Sequence, residues 1–380
     1  MKNALIIILF FISALGYAEA ADSTSVSGIN FRVRIQARLD VGDLLTDETD
    51  SGYISLFDTY FRRTRLEIRG HPIQPIEYTI IFSADHWERA DRDHKLSMPI
   101  CYVKIHASPT LTLRFGLTKL PYSRFLLTSY SRLMFVERPD FANQSSRFMS
   151  GNIPFNIQLY QSLIDSLAQI RFAVSDGFQK GDDIGDNFVV HRSDASISCR
   201  IEFSPSRWTE EKKYGSFVGV GRHLTFAAGF AAQRGIRAHN ESEDPPYIIK
   251  NQERWLVELD LSAHHNGLGF QIEYINMTGK KKSEPNVNPK GICAQVGYFI
   301  KSLRLEPSFR YEYFNEDANQ PDKTIQIFTS GLNWYKTRWD HDFKIQANFV
   351  HYLCDPHSEI ALPNDSSKNL FYLQCQFYFR

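Results

Sequence analysis

Apolar and polar side chains alternate one for one through "FRVRIQARLD", residues Phe31 to Asp40. Phe31, Val33, Ile35, Ala37 and Leu39 share one parity; Arg32, Arg34, Gln36, Arg38 and Asp40 share the other. A period of two marks a β-strand with one apolar and one polar face. The pattern returns in "EYTIIFSAD" from Glu77, in "CYVKIHA" from Cys101, in "TLTLRFGLT" from Thr110 and in "LRLEPSFRYEYF" from Leu303. No segment carries a helical stripe. About sixteen such stretches begin near residues 29, 58, 76, 97, 110, 155, 167, 194, 222, 252, 267, 290, 302, 323, 340 and 369. Most run roughly 9–12 residues, the length a tilted strand needs to cross a bilayer. Those near 155, 323 and 340 alternate less cleanly.

The connections alternate long and short. "VGDLLTDETDSGYISLF" is followed by "HPIQP", and the stretch around "HWERADRDHK" by "SP". "HNG" at His265–Gly267 and "KS" at Lys301–Ser302 read as tight turns between longer loops. Short turns on one side and long loops on the other are the sidedness of an outer-membrane barrel. The stretch at 205–221, "PSRWTEEKKYGSFVGVG", is long where a short turn is expected. The fold expected is all-β, a sixteen-stranded antiparallel transmembrane barrel with its third long loop folded inward. A large soluble sandwich is the alternative; its strands tend to be shorter, about 5–6 residues.

The ends and the composition sharpen this picture. Residues 1–20 read as a signal peptide: Lys2, the apolar run Ala4–Leu15, and small residues at Ala18 and Ala20. Residues 21–380 form the barrel domain and hold no further run long enough for a membrane helix. Only helices and closed barrels satisfy their backbone in lipid, so a membrane reading requires a barrel. The 29 Phe and 18 Tyr fit both strands and bilayer interfaces. Lys plus Arg and Asp plus Glu both number 43, so no global field points to nucleic acid. Cys101, Cys199, Cys293, Cys354 and Cys375 are scattered and follow neither a zinc pattern nor a compact disulfide framework.

If the apolar parity faces lipid, the opposite parity faces a lumen. Arg34 and Arg38, with Arg32, are then lumenal, and Arg63, Arg65 and Arg69 of "FRRTRLEIRG" stand beside them when the first two strands pair. Arg114, Arg171, Arg200, Arg304, Arg310 and Lys344 also fall on polar parity. Spaced guanidiniums offer successive bidentate sites to an oxyanion and replace its hydration in steps. Alternatively, these arginines pair with wall acids such as Glu67, Asp85, Glu202 and Glu312. The longest loop, about 119–154, carries Lys119, Arg124, Arg132, Arg138 and Arg147 against Glu137 and Asp140. With Ser123, Thr128, Ser129, Tyr130 and Ser131 it reads as a basic, hydroxyl-rich constriction suited to a phosphate-like anion, or as a solvated rim loop.

Several stretches resemble the phosphate-selective porin O and P family. "FRVRIQARLD" is similar to its opening strand, and "YFRRTRLEIRG" to its Arg-Arg-x-Arg strand ending in Gly. "LRFGLTKLPYSRFLLTSYSRLMFVER" resembles the family's start of the third loop, with Tyr122 where Phe is usual. "LEPSFRYEYF", "GLNWY", "FKIQANF" and "LQCQFYF" resemble its late strands. The resemblance implies a homotrimer of sixteen-stranded barrels in the outer membrane of a Gram-negative-type bacterium, with passage of phosphate or polyphosphate. It places an arginine ladder on Arg34, Arg38, Arg63 and Arg65, and a constriction on Lys119, Arg124 and Arg132.

The expected partners are outer-membrane lipid and small anions of the phosphate class; no nucleic acid, cofactor or metal is expected. The alternative function is a general or sugar-conducting porin of the same shape. An outer-membrane hydrolase is the enzyme reading, but His264, His265 and His341 sit in no recognisable nucleophile arrangement. A structural or adhesin-like barrel is the remaining class.

Overall fold

The computed structural model describes residues 28–44, 54–73, 75–87, 96–149, 153–164, 167–178, 188–205, 222–240, 248–281, 286–320, 323–336, 341–354 and 367–379. The expected signal peptide, the acidic stretch 241–246, most of the stretch 205–221 and Arg380 lie outside the described residues. The strands are β1 (Ile29–Leu44), β2 (Ile54–Ile73), β3 (Ile76–Trp87), β4 (Ser97–His106), β5 (Leu111–Leu117), β6 (Phe155–Leu163), β7 (Ala168–Ser175), β8 (Phe188–Arg192) and β9 (Ser196–Phe203). They continue with β10 (Arg222–Asn240), β11 (Ile248–His265), β12 (Leu268–Lys281), β13 (Lys290–Tyr298), β14 (Leu305–Asn315), β15 (Thr324–Tyr335), β16 (Phe343–Cys354) and β17 (Ser367–Phe379).

Sixteen of these strands close into one antiparallel barrel. Chain neighbours pair throughout, and β17 returns to β1 with Val33 opposite Phe379 and Gly42 opposite Leu370. The short β8 stands outside the ring, pairing with the far end of β10, while β7 pairs directly with β9. The strand starts read from alternation fall within a few residues of those observed. β2, β10 and β11 are longer than expected at 20, 19 and 18 residues.

The alternation faces the way the membrane reading requires. In β1 the side chains of Arg34, Gln36, Arg38 and Asp40 are buried, whereas Phe31 on the other parity is 60% exposed. Farther round, Gln295, Glu306, Asn333 and Gln346 are buried while Phe309, Leu332 and Phe349 face outward. A closed barrel leaves no unpaired sheet edge, so lipid can solvate an apolar exterior around a polar interior. Phe343, Phe377 and Phe379 meet at the terminal rim with centroids 4.9 and 6.4 Å apart, as interfacial aromatic girdles do. Cys101, Cys199 and Cys375 share the outward parity, and Cys293 is buried on the inner one.

The first described strand begins and the last ends at the short-turn rim, where the N–H of His71 donates to Gly28 O at 3.1 Å. The Asn266–Gly267 turn has φ of +50° and +88°, the left-handed pair that a two-residue hairpin demands. Lys301–Ser302 is not a two-residue turn. The connection runs over Lys301–Arg304, with Ile300 N–H donating to Leu305 O at 2.7 Å. Arg304, expected in the lumen, sits in that turn at φ +56° and donates to Lys336 O at 2.6 Å. The alternating pattern ran one turn too far because the turn residues continue the strand's parity.

The third long loop lies against the inner wall. It contains α1 (Arg124–Leu127), a 3-10 turn (Tyr130–Arg132) and α2 (Asp140–Phe148). Its apolar side, with Leu120, Tyr122, Phe125, Phe141 and Met149 buried, joins Leu256, Ile275, Met277, Ile325, Ile327 and Val350 in one hydrophobic cluster. The barrel thus has a small core of its own on the side of β11–β16.

Candidate functional site

Residues 131–137, the end of the 3-10 turn and the irregular segment after it, are gripped by wall side chains. Gln376 donates to Ser131 O at 3.2 Å and Lys344 to Leu133 O at 2.9 Å. Asn333 donates to Met134 O at 2.7 Å, Asn348 accepts from Val136 N–H at 2.7 Å, and Arg310 donates to Glu137 O at 2.9 Å. Buried backbone groups that leave water must find such partners. The inward amides of β15–β17 supply many of them, as the neighbouring strand of a sheet would.

Acids on the wall hold the two helices by their N-termini. Glu273 on β12 accepts from Ser123 Oγ at 2.5 Å and from Phe125 N–H at 3.0 Å. Glu312 on β14 accepts from Asp140 N–H at 2.6 Å. Unpaired N–H groups and the helix dipole both favour a carboxylate at that end. Beside Glu273, Arg200 donates to Glu258 at 2.9 Å, to Glu202 at 2.8 Å and to Asp260, so one guanidinium faces three carboxylates. This side of the lumen is packed and acid-rich.

The opposite side is basic. Arg38 bonds Asp40 and Glu137; Arg62 donates to Glu137 at 2.6 Å and Arg63 at 3.2 Å. Arg62 reaches inward beside Arg63 because β2 bulges there: Gln36 opposes Arg63 and Ala37 opposes Phe61, leaving Arg62 as the extra residue. Tyr130 lies between two guanidiniums, with Arg63 3.6 Å and Arg138 3.7 Å from its ring centroid. Arg65 pairs with Asp85 and stands opposite Arg34 across the β1–β2 pair. Arg34 donates to Ser129 Oγ at 3.4 Å and lies 5.2 Å from the Tyr378 ring. Among the described residues no carboxylate reaches ion-pair distance of Arg34, Arg114, Lys119 or Arg138.

Arg114 sits lower on β5, 4.6 Å from the rings of both Tyr102 and Tyr160. Lys104, its cross-strand neighbour, pairs with Glu77 at 2.6 Å. Burial distinguishes the two sides. Inward residues of β2–β7 such as Arg65, Lys104, Arg114, Tyr160 and Arg171 are partly exposed, whereas Glu258, Glu273, Asn333, Gln346 and Gln376 are fully buried. Among the described residues the inward side chains are most open along β2–β7.

Loop charges carry shifted proton affinities. Burial pushes Lys119 well below the usual lysine range, and Arg138, Arg65, Arg34 and Arg63 push it the same way. Burial favours the neutral form of Glu137, but Arg62, Arg63 and Arg38 outweigh it and hold the carboxyl well below its usual range. Tyr130 follows the same balance: burial raises it, and Arg138 and Arg63 bring it below the phenol range.

The expected residues therefore divide. Arg34, Arg38, Arg63, Arg65 and Lys119 gather around Tyr130 and Glu137. Arg114 is on the same wall but apart from them. Arg124 is elsewhere: it is buried on the acid side, with Nη2 3.4 Å from His223 Nε2. Arg132 is half-buried at the end of the 3-10 turn. The hydroxyls read as ligand donors are largely spent on the loop itself. Ser123 caps α1 and Thr128 Oγ1 donates to Arg124 O at 2.9 Å. Arg171, Arg200 and Arg310 form the acid pairs of the alternative reading. The inward turn of Arg62 and the Tyr102–Arg114–Tyr160 stack are not among the features strand parity predicts. The signal for Arg62 was the phase slip in "YFRR", which places Tyr60 and Arg63 on the same side.

A family model for phosphate-selective porin O and P matches residues 31–379. An uncharacterized protein of Aquifex aeolicus (strain VF5) is 25% identical over 384 residues, spanning 92% of this chain and 87% of that one. An anion-selective porin from Comamonas acidovorans superposes with a TM-score of 0.66 at 11% identity, covering 92% of this chain and 99% of that chain. OmpT of Vibrio cholerae in a trimer form superposes at 0.58 with 10% identity, covering 93% and 100%. At such identities the structural likeness shows the barrel fold.

Proposed function

The chain belongs to the phosphate-selective porin O and P family, and on that premise we propose that its lumen passes small oxyanions of the phosphate class along the β1–β7 wall. The protein is a porin of the Gram-negative outer membrane, conducting solutes passively down their gradients. One observation carries the anion reading: Arg114 stands partly exposed on the β5 wall with no carboxylate partner among the described residues, and Arg34, buried beside Ser129 of the loop, has none either. A paired arginine is already neutralised, whereas an unpaired one exchanges its hydration for a passing anion. Lys119 and Arg65 flank Arg34 at the level of the loop and complete a basic stretch there.

Tyr102 and Tyr160 support a second reading, in which aromatic rungs guide neutral solutes through the same hole. We also infer a homotrimer, in keeping with the trimer form of the Vibrio cholerae relative in fold. Single-channel conductance in potassium chloride, with and without added phosphate, tests the proposal. Phosphate should reduce chloride current in the wild type, and Arg34→Gln should weaken that reduction. Chloride current indifferent to phosphate, with a sugar such as maltose blocking instead, would favour the neutral path.

A further inference from the structure

Glu137 stands where an incoming anion would bind. Its carboxylate accepts from Arg38, from Arg62 Nε at 2.6 Å and from Arg63 Nη2 at 3.2 Å. Three guanidiniums around one small acceptor form an oxyanion site, and the β2 bulge builds it by turning Arg62 and Arg63 to the same side. Resting on the anion-path reading above, we propose that Glu137 is a tethered competitor: it fills this three-arginine site in cis, and a passing oxyanion binds there by displacing it.

The site does not depend on Glu137 for its shape. The Tyr130 face holds Arg63, and Asp40 holds Arg38 through Nε. The site also has donors to spare. A carboxylate offers two oxygens, and Arg63 Nε is buried without a hydrogen-bond partner, whereas a phosphate brings more acceptor oxygens. The competitor is anchored but releasable. Asn348 and Arg310 fix the loop backbone at Val136 and Glu137, so only the side chain has to swing. That side chain is 24% exposed, against 1% for Arg63 and 5% for Arg38, so it forms the water-facing lid of the site. The three guanidiniums keep the carboxyl ionised and competitive at neutral pH. A conducting site must bind weakly enough to let its ion leave, and an internal carboxylate lowers the net affinity without removing the arginines.

The test uses the purified full-length mature protein in planar bilayers with inorganic phosphate as the probe. Its readout is the phosphate concentration that halves chloride current. Glu137→Gln should lower this concentration by roughly tenfold, the equivalent of one charge-assisted competitor removed. Asp85→Asn, which removes the same charge from the same wall beside Arg65, should change it less than about threefold. Glu137→Asp keeps the charge on a shorter tether and should shift the value in the Gln direction, which covers failure of the Gln variant to assemble. An unchanged or raised half-blocking concentration in both Glu137 variants, with anion preference retained, overturns the tethered competitor alone. So does an Asp85→Asn effect equal to that of Glu137→Gln, which would mean a general field. Loss of anion preference in the wild type itself overturns the underlying path, and is read separately from the reversal potential.

Discussion

The carbonyl oxygen of Tyr122 rests on the face of Gly229: a Cβ added at that glycine would stand 1.9 Å from the oxygen. The loop approaches β10 more closely than any side chain permits, and Arg200 secures the contact by donating to the same oxygen at 3.3 Å. Gly229→Val should therefore push the start of α1 off the wall while leaving the barrel's outward parity untouched. Single-channel recordings should show altered conductance and more open-channel noise, with the heat-resistant gel mobility of the barrel unchanged. Wild-type currents from this variant would mean the loop does not set the channel's width.

Glu273 is the only wall acid among the described residues seen to accept from both Ser123 and Phe125. Glu273→Ala removes these acceptors and leaves the buried Phe125 N–H and the Ser123 O–H without an acceptor, at a cost of about 1–3 kcal/mol each. Limited proteolysis should cut the third loop faster, with no change in barrel melting. Equal cleavage rates would show that α1 is held by its apolar side alone.

Arg114 and Arg171 are both inward and both partly exposed, but only Arg171 has an acid, Glu202 at 3.2 Å. Neutralising the unpaired group removes field that the permeating ion feels; neutralising the paired group also leaves its carboxylate with one guanidinium fewer. Arg114→Gln should lower the chloride-to-potassium permeability ratio by about two- to threefold, the effect of a fraction of a kcal/mol on an exposed charge. Arg171→Gln should lower it further, because Glu202 then keeps only Arg200, which it shares with Glu258 and Asp260. The reverse order would remove the unpaired arginine from the path.

Lys119 gives the pH dependence a direction. Its folded value lies well below that of a free lysine, about 10.4, so it sheds its proton as pH rises while exposed lysines remain charged. Anion preference should thus fall with rising pH in a range below ordinary lysine titration. Lys119→Met should remove that step and show the lower preference throughout. A pH profile identical in the two proteins would place the titration elsewhere.

Much of the barrel was legible because one rule, period-two alternation, governs every strand. Val33, Ile35 and Leu39 announced lipid as plainly as Arg34 and Arg38 announced water. Where alternation blurred, near residues 323 and 340, the cause is visible in Ile325, Ile327 and Val350. These inward positions are apolar because they pack on the loop, so the lumen is not uniformly polar. The candidate site was legible by type but not by partner. Sequence parity put Arg34, Arg63 and Arg65 together, yet nothing local could place Arg124 against His223 or bring Glu137 to Arg62. Those contacts depend on where a 36-residue loop, 119–154, lands on a wall far from it in sequence.

The reversal potential across a potassium chloride gradient reports the sign of the charge lining the water column most directly. Anion preference in the wild type, reduced in Arg34→Gln, is the expected result. Cation preference, or none, would contradict a path that follows the arginines of β1 and β2.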